Sequence, residues 1–258
     1  MPILTQAQIE SWIGAAFWPF VRIGACLMVA PLFSGTYVPA RLRIVIAGAL
    51  TLIALPLIRQ PGVTLLSGQG VITTLQQLLI GAAIGFSLQL VFDALTLGGQ
   101  LLANGMGLGF AFNLDPLRGV STPALGQLYV VLGTLTFIAL NGHVAMIELL
   151  INSFRALPVG AGGLSNADLS ALAFLGTQLF AGALRIALPG MTALLVVNLA
   201  FGVTSRAAPA LNLFAVGLPV TLVFGLVVIL FGLPGMQSGF MDLVSSAFQF
   251  AAALGTAR

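Results

Sequence analysis

Charged residues are scarce in this sequence. They make up 6% of its 258 residues, and none of them is a lysine. A soluble domain carries about 25% charged residues, whereas 59% of this chain is hydrophobic. No charge lies between Arg206 and Asp242, a stretch longer than the roughly 20 apolar residues that a membrane-spanning helix needs. These absences exclude a water-soluble globule and predict an integral membrane protein, or one enclosed by membrane partners.

Side chains that build enzyme and metal sites are equally rare. Cys26 is the single cysteine, so no intramolecular disulfide can form, and His143 is the single histidine. The six carboxylates are spread over the chain, which leaves no cluster with metal-ligand spacing and no base beside a nucleophile. The glycines of GMGLG precede no Lys-Ser or Lys-Thr pair and match no phosphate-binding fingerprint. We therefore predict a protein that is not an enzyme and takes no cofactor or metal.

The basic residues are nine arginines, which give a net charge of +3. They form no cluster beyond Arg41 and Arg43, so the sequence lacks the basic patch of a nucleic-acid-binding protein. A guanidinium group keeps its charge when desolvated and makes forked hydrogen bonds. This chemistry favours fixed contacts with partner subunits at Arg22, Arg185 and Arg206. Snorkelling to lipid headgroups is an equally good alternative for any one of them.

Helical periodicity runs through nearly the whole chain and predicts an all-α fold. The first helix should begin at about Gln6 and continue to Val29, and it lacks the basic start of a cleavable signal, so we expect it to be retained. The tetrapeptide LPGM, at 188–191 and 233–236, is interpreted as two helix breaks because proline interrupts helical hydrogen bonding. Further apolar runs cover 42–58, 71–102, 124–140, 169–207 and 213–233, and a short helix carries Glu148 and Arg155.

These runs predict six or seven membrane spans within one helical domain, 1–258. At its end, Phe240, Val244, Phe248 and Ala251 fall on one side of a helix, which predicts an amphipathic tail over 239–258.

A stripe of polar residues follows one face of the long run at 71–102. Its members are spaced by four, three, four and four residues, and they are Gln89, Asp93, Thr96, Gln100 and Asn104. Because polar groups in hydrocarbon are costly unless satisfied, this face should meet protein or water. Pairing with a neighbouring helix of the same chain is the alternative to a transport path or a partner contact.

Three separated motifs resemble those of the FliR family of flagellar export-gate proteins. They are WPFVRIGACLMVAPLFSGTYVPARLRIVIAGALTLIALPL, MGLGFAFNLDP and SRAAPALNLFAVGLPVTLVFG, and the similarity covers nearly the whole chain in the same order. The resemblance implies bent helical hairpins packed with FliP-like and FliQ-like subunits in a pore complex for unfolded flagellar proteins. It further implies a FlhB-like switch protein as partner, contact with lipid, and a place in the flagellar basal body at the bacterial inner membrane.

The segment NGMGLGFAFNLDP has glycine at every second position from 105 to 109. Glycine tolerates backbone angles closed to other residues, and non-helical backbone at membrane depth survives only inside protein or beside water. The resemblance implies that the loop at 105–123 is a plug across the export channel, with an ordinary inter-helix loop as the alternative. The plug residues would be Gly105, Met106, Gly107, Leu108, Gly109, Phe110, Phe112, Asp115 and Pro116, with the bulky apolar members forming a movable seal.

In the third motif, Arg206 and Asn212 are further expected partner contacts. Two other classes of function stay open from the residues themselves. One is a self-contained secondary transporter or channel, which the polar stripe and the proline-interrupted helices would also suit. The other is a scaffold with no pore role. Within the resembling family, an injectisome export-gate homologue is the alternative to a flagellar one.

Overall fold

The computed structural model describes residues 6–35, 38–58, 63–108, 124–207 and 213–255. In this described part the chain is helical and has no strand, which confirms the all-α prediction. The helices, numbered in chain order, are α1 (Gln6–Val29), α2 (Pro31–Ser34), α3 (Ala40–Ala54) followed by a 3-10 turn (Leu55–Leu57), α4 (Gly68–Gly105), α5 (Ala124–Ala139), α6 (Gly142–Ala156), α7 (Asn166–Ala207) and α8 (Leu213–Ala253).

Two of these helices pass straight through the LPGM tetrapeptides. Pro189 lies inside α7 and Pro234 inside α8, so the prediction of two helix breaks is wrong. A proline removes one backbone hydrogen bond, but in apolar surroundings every other peptide group must still be satisfied within the helix. The long apolar flanks therefore keep the helix continuous. The C-terminal amphipathic stretch is accordingly the last part of α8 rather than a separate helix.

Four helical segments among the described residues are long and apolar enough to cross a membrane: Ala40–Leu57, Gly68–Gly105, Asn166–Arg206 and Gly217–Ala253. The number rises to five if α5 and α6 are counted together as one broken span. Among the described residues this count is below the expected six or seven spans. One reason is the break at Asn141, which has a left-handed φ of 56°, and another is that α7 is one helix and not two.

The described residues group into two compact units. The first unit draws on 1–90, 140–176 and 245–258. Its core contains Trp18, which is fully buried and donates a hydrogen bond from Nε1 to the Thr74 hydroxyl over 3.1 Å. Helices α1 and α4 approach closely at Gly81 and Gly85, where a Cβ atom would collide with the carbonyl groups of Arg22 and Cys26. Small residues four apart are what such close helix packing requires.

The second unit draws on 91–139 and 177–244. Three phenylalanines meet edge to face in its core: the Phe92 ring lies 5.8 Å from Phe137 and 5.5 Å from Phe240, measured between ring centroids. Such aromatic pairs add about 1 kcal/mol each beyond the area that they bury. Phe240 belongs to the buried face of α8 in this unit, together with Met236 and Val244.

Candidate functional site: the anchor of the glycine segment

Helix α4 ends in a glycine C-cap at the start of the glycine segment. The Leu108 N–H donates to the Ala103 carbonyl over 3.0 Å, and the Gly107 N–H donates to the Asn104 carbonyl over 3.1 Å. This pair of bonds is the Schellman motif, and it places a left-handed residue just past the helix. Gly107 is that residue, with φ +79°. The first glycines of the segment therefore stop a helix, and their backbone is fixed by hydrogen bonds.

The turn is held against α7 and α8. Met106 is 1% exposed, and it lies so close to Gly225 of α8 that an added Cβ there would be 2.5 Å from the methionine Cε. The Asn198 side chain of α7 donates from Nδ2 to the Gly105 carbonyl over 3.1 Å. Leu218 of α8 also approaches the turn, because its Cδ2 lies 3.1 Å from where a Cβ of Gly107 would stand. We name Gly105–Leu108 with these contacts the anchor.

The anchor contains the first residues of the predicted plug. Met106 is buried in its own chain and Gly105 is the last residue of α4, and their part in a plug stays a prediction. Leu108 is partly exposed and stands at the end of the described stretch. The remaining predicted plug residues, Gly109, Phe110, Phe112, Asp115 and Pro116, lie outside the described residues.

The polar stripe lies on the single continuous helix α4. Asp93 and Asn104 are exposed, whereas Gln89, Thr96 and Gln100 are partly exposed. The Thr96 hydroxyl is used within the helix, since it donates to the Phe92 carbonyl over 3.0 Å. The helix that carries the stripe is therefore confirmed. Contact of the stripe with a partner subunit or with water stays a prediction.

Arg22 lies in the core of the first unit and is 0% exposed. Its Nε donates to Gln77 Oε1 over 2.7 Å, and its two terminal nitrogens donate to Ser153 Oγ over 3.1 Å and to the Leu157 carbonyl over 2.7 Å. Its guanidinium carbon also lies 4.1 Å from the centroid of the Phe154 ring. These bonds join α1, α4 and α6 of the same chain, and a contact of Arg22 with a partner subunit stays a prediction.

The other predicted contacts have different surroundings. Arg185 and Arg206 are both exposed, the first near the middle of α7 and the second in its last turn, while Asn212 lies outside the described residues. In the described part of the chain, no group of three or more His, Cys, Asp or Glu side chains comes together as a metal site would require.

The sequence analysis did not identify the hydrogen-bond acceptors of the buried Arg22. Gln77 and Thr73 are fully buried, and together with Gln69 they recur every four residues along the first part of α4. That spacing puts them on one helix face. This spacing was the signal in the sequence that α4 offers polar partners to a buried polar group. The same reasoning from spacing was applied to the polar stripe further along α4.

Comparison with known proteins identifies the family to which this chain belongs. The family model described as Bacterial export proteins, family 1, matches residues 13–247. The flagellar biosynthetic protein FliR of Escherichia coli K12 is 36% identical over 223 residues, covering 86% of this chain and 85% of the relative. FliR of Pectobacterium carotovorum is 36% identical over 245 residues, covering 95% and 94%. FliR of Aquifex aeolicus is 31% identical over 233 residues, covering 90% of each.

The helical architecture and the matched family define a membrane-embedded bacterial export protein. Within that class the chain belongs to the FliR family, as the three sequence motifs predicted. It is therefore a component of flagellar protein export, and the family is one of export-apparatus components.

Proposed function

We propose that this protein is a non-enzymatic subunit of the flagellar type III export gate, which forms and closes a pore for unfolded flagellar proteins together with FliP-like and FliQ-like subunits. The observation that carries the proposal is the length of apolar surface that α7 and α8 leave uncovered. Only 22% of the most apolar stretch of each helix is buried, and exposed apolar side chains extend from Leu169 to Val203 on α7.

The extent of that surface favours protein partners over lipid alone. From Leu169 to Val203 an α-helix rises about 50 Å, at about 1.5 Å per residue. The hydrocarbon core of a bilayer is about 30 Å thick, and a tilt of about 40° would still leave part of the stretch outside it. Exposed apolar surface beyond the bilayer needs another apolar surface against it. Partner subunits supply that surface in the proposed gate.

Closure of the pore is assigned to the segment that follows the anchor. Phe110 and Phe112 would supply the apolar seal, and Asp115 with Pro116 would turn the chain out of the channel. Gly109 would join this seal to Leu108, the last residue of the anchor, in which Met106 is buried and the Gly105 carbonyl accepts from Asn198. A firm anchor beside a glycine-rich segment lets the seal move aside for a substrate without unravelling α4.

The proposal also covers the contacts of this chain with its partner subunits and the location of the complex in the cell. The polar stripe from Gln89 to Asn104 would face a partner or the aqueous lumen, since its uncovered polar groups would be costly in lipid. Exposed Arg206, and Asn212 after it, would meet partner subunits, and a FlhB-like switch protein would join the same complex. The complex would sit in the bacterial inner membrane at the flagellar basal body, partly in contact with lipid. No nucleotide motif occurs in the chain, so partners or the proton-motive force would supply energy.

The test deletes the proposed seal and leaves the C-cap of α4 in place. Residues 109–112 are deleted, which leaves Gly107 and Leu108 in place, and ion leakage across the inner membrane is measured in cells that make the partner subunits. We expect increased leakage from the deletion. Unchanged leakage would overturn the sealing role.

The control is the same deletion in cells that lack the FliP-like subunit, where no pore should form and no leakage should follow. Co-purification of the unaltered chain tests the assembly itself. A chain that purifies alone and transports a small solute by itself would replace the gate with a self-contained transporter.

A further inference from the structure

A groove of about 500 Å³ lies between α7 and α8 in the second unit. Its walls are largely apolar, with Pro189 of α7 facing Phe224 and Phe231 of α8. Phe231 is 80% exposed and Phe224 is 40% exposed, so the groove is open along its α8 side. Arg185 is the charged residue in its lining.

Arg185 is an isolated charge in the part of the chain that the structure describes. Within the described residues, neither a hydrogen bond nor an ion pair joins its guanidinium group to another side chain. No other charge occurs between Asp168 and Arg206 on the same helix. A charged group in such an apolar setting is stabilised when it meets an acceptor, and none of the described residues provides one for Arg185.

Two glycines in the same groove border open space among the described residues. Gly232 and Gly235 lie in α8 and line the groove, and a Cβ atom added to either would meet nothing within 4 Å. A glycine inside a helix costs about 1 kcal/mol relative to alanine. Since none of the described residues packs against them, glycines here suit the close approach of a backbone from outside, as in packed membrane helices.

We infer that this groove receives an apolar helix of a partner subunit, which carries an aspartate or glutamate that pairs with Arg185. The inference rests on the proposed function and names the partner's chemistry at one site of that assembly. The cationic group calls for a carboxylate, and the apolar walls call for an apolar helix around it. A lipid phosphate could satisfy Arg185, but mobile acyl chains fill a groove without needing the open glycine surface.

Cysteine labelling can follow occupancy of the groove. The single native thiol, Cys26, is 0% exposed. A Phe231→Cys variant therefore adds one accessible thiol to a protein whose native thiol is buried. Its maleimide labelling rate is compared between the chain purified alone in detergent and the co-purified assembly. We expect labelling in the assembly to be at least about tenfold slower. Leu66→Cys is the control, because Leu66 is 92% exposed in the turn before α4 and should label alike in both samples.

The charge is tested in the same background. Arg185→Glu should restore fast labelling of the Phe231→Cys thiol in whatever assembly remains, whereas Arg185→Lys should keep the thiol protected. Photo-crosslinking from position 231 should identify a partner helix with a carboxylate, and its exchange for arginine should restore protection to Arg185→Glu. Cys26 should stay unreactive in every variant, which shows that α1 and its packing are intact.

The outcomes separate this inference from the proposed function. If the unaltered chain does not co-purify with FliP-like and FliQ-like subunits, the proposed function fails. If it co-purifies but Phe231→Cys labels equally fast in the assembly, or stays protected with Arg185→Glu, only the groove inference fails. Equal protection of the chain alone in phosphatidylglycerol vesicles would also overturn it, because lipid would then be the occupant.

Discussion

The Nε atom of Arg22 lies 2.7 Å from Oε1 of Gln77, with both side chains fully buried. The two residues belong to α1 and α4, and the same guanidinium group reaches α6 through Ser153 and the Leu157 carbonyl. A cation thus holds three helices together through uncharged acceptors. Each acceptor would be left unsatisfied if the arginine were lost, which makes this cluster a sensitive point of the first unit.

Replacing Arg22 should destabilise the protein strongly. Arg22→Met keeps a long side chain but orphans the buried oxygens of Gln77 and Leu157, and each such group costs about 1–3 kcal/mol. We expect a loss of about 3 kcal/mol in the free energy of unfolding, measured in detergent. Arg22→Lys should recover little of it, because an ammonium group lacks the forked geometry of guanidinium.

Two comparisons make that prediction specific. The double variant Arg22→Met, Gln77→Met should be more stable than Arg22→Met alone, since one orphaned acceptor is gone. Arg41→Met, at an exposed site in α3, should change stability by less than about 0.5 kcal/mol. Equal effects at Arg22 and Arg41 would contradict a structural role for the buried cluster.

The close packing of α1 against α4 predicts opposite effects for two glycine substitutions. A Cβ at Gly85 would lie 2.6 Å from the Cys26 carbonyl oxygen, so Gly85→Ala must push the helices apart. We expect a loss of about 2 kcal/mol, in the range for overpacking a core. At Gly48 of α3 an added Cβ meets nothing within 4 Å, so Gly48→Ala should be neutral or stabilising by up to about 1 kcal/mol.

Thermal unfolding of the two variants under one detergent condition measures this difference. Cys26 gives a second readout, because separation of the helices at Gly85 should make its buried thiol reactive towards maleimide. A Gly85→Ala protein that is as stable as Gly48→Ala, with an unreactive Cys26, would show that the helices do not approach so closely.

The periodicity of the sequence predicted part of this fold and of the candidate site. Spacing identifies residues that share a helix face, so α4 and its polar stripe were predictable. Spacing does not tell which neighbour covers a face. Arg22 was therefore assigned to a partner subunit although it is satisfied within its own chain.

The remaining misses have local causes. Pro189 and Pro234 carry the ordinary signal of a helix break, but the apolar runs on both sides keep α7 and α8 continuous. At the anchor, a glycine just past the last helical residue is the usual sign of a C-cap. The sequence analysis instead assigned Gly107 to a longer loop, because the alternating glycines continue beyond it.

The anchor predicts a specific requirement for glycine at position 107. Gly107 has φ +79°, and a left-handed conformation costs other residues about 1–2 kcal/mol. Gly107→Ala should therefore lower stability by about that amount, with further strain against Leu218. In cells that make the partner subunits, it should also raise ion leakage, because the proposed seal begins at the next residues.

The matched control for that variant is Gly202→Ala. Gly202 lies inside α7 with no atom within 4 Å of an added Cβ, so its replacement should not reduce stability. A Gly107→Asn variant should be milder than Gly107→Ala, since asparagine tolerates the left-handed region better. If Gly107→Ala and Gly202→Ala behave alike in unfolding and in leakage, the cap has no part in holding the segment.

The N-terminus of α7 predicts a coupling to the far end of the chain. Asp168 accepts hydrogen bonds from the backbone N–H and the hydroxyl of Ser165, both over 2.8 Å, while the Ser165 hydroxyl accepts from the Asp168 N–H over 3.1 Å. The other carboxylate oxygen of Asp168 accepts from the Gly255 N–H over 3.3 Å. Reciprocal capping of this kind satisfies the free N–H groups of a helix start.

Asp168→Ala should therefore lower the free energy of unfolding by about 1–2 kcal/mol, and should speed amide hydrogen exchange at Gly255 because its acceptor is gone. Ser170→Ala, two residues further along α7, is the control: its hydroxyl is exposed and donates only to the nearby Ala167 carbonyl over 2.9 Å. That variant should leave Gly255 exchange unchanged. Equal exchange at Gly255 in both variants would mean that the carboxylate caps its own helix without holding the end of α8.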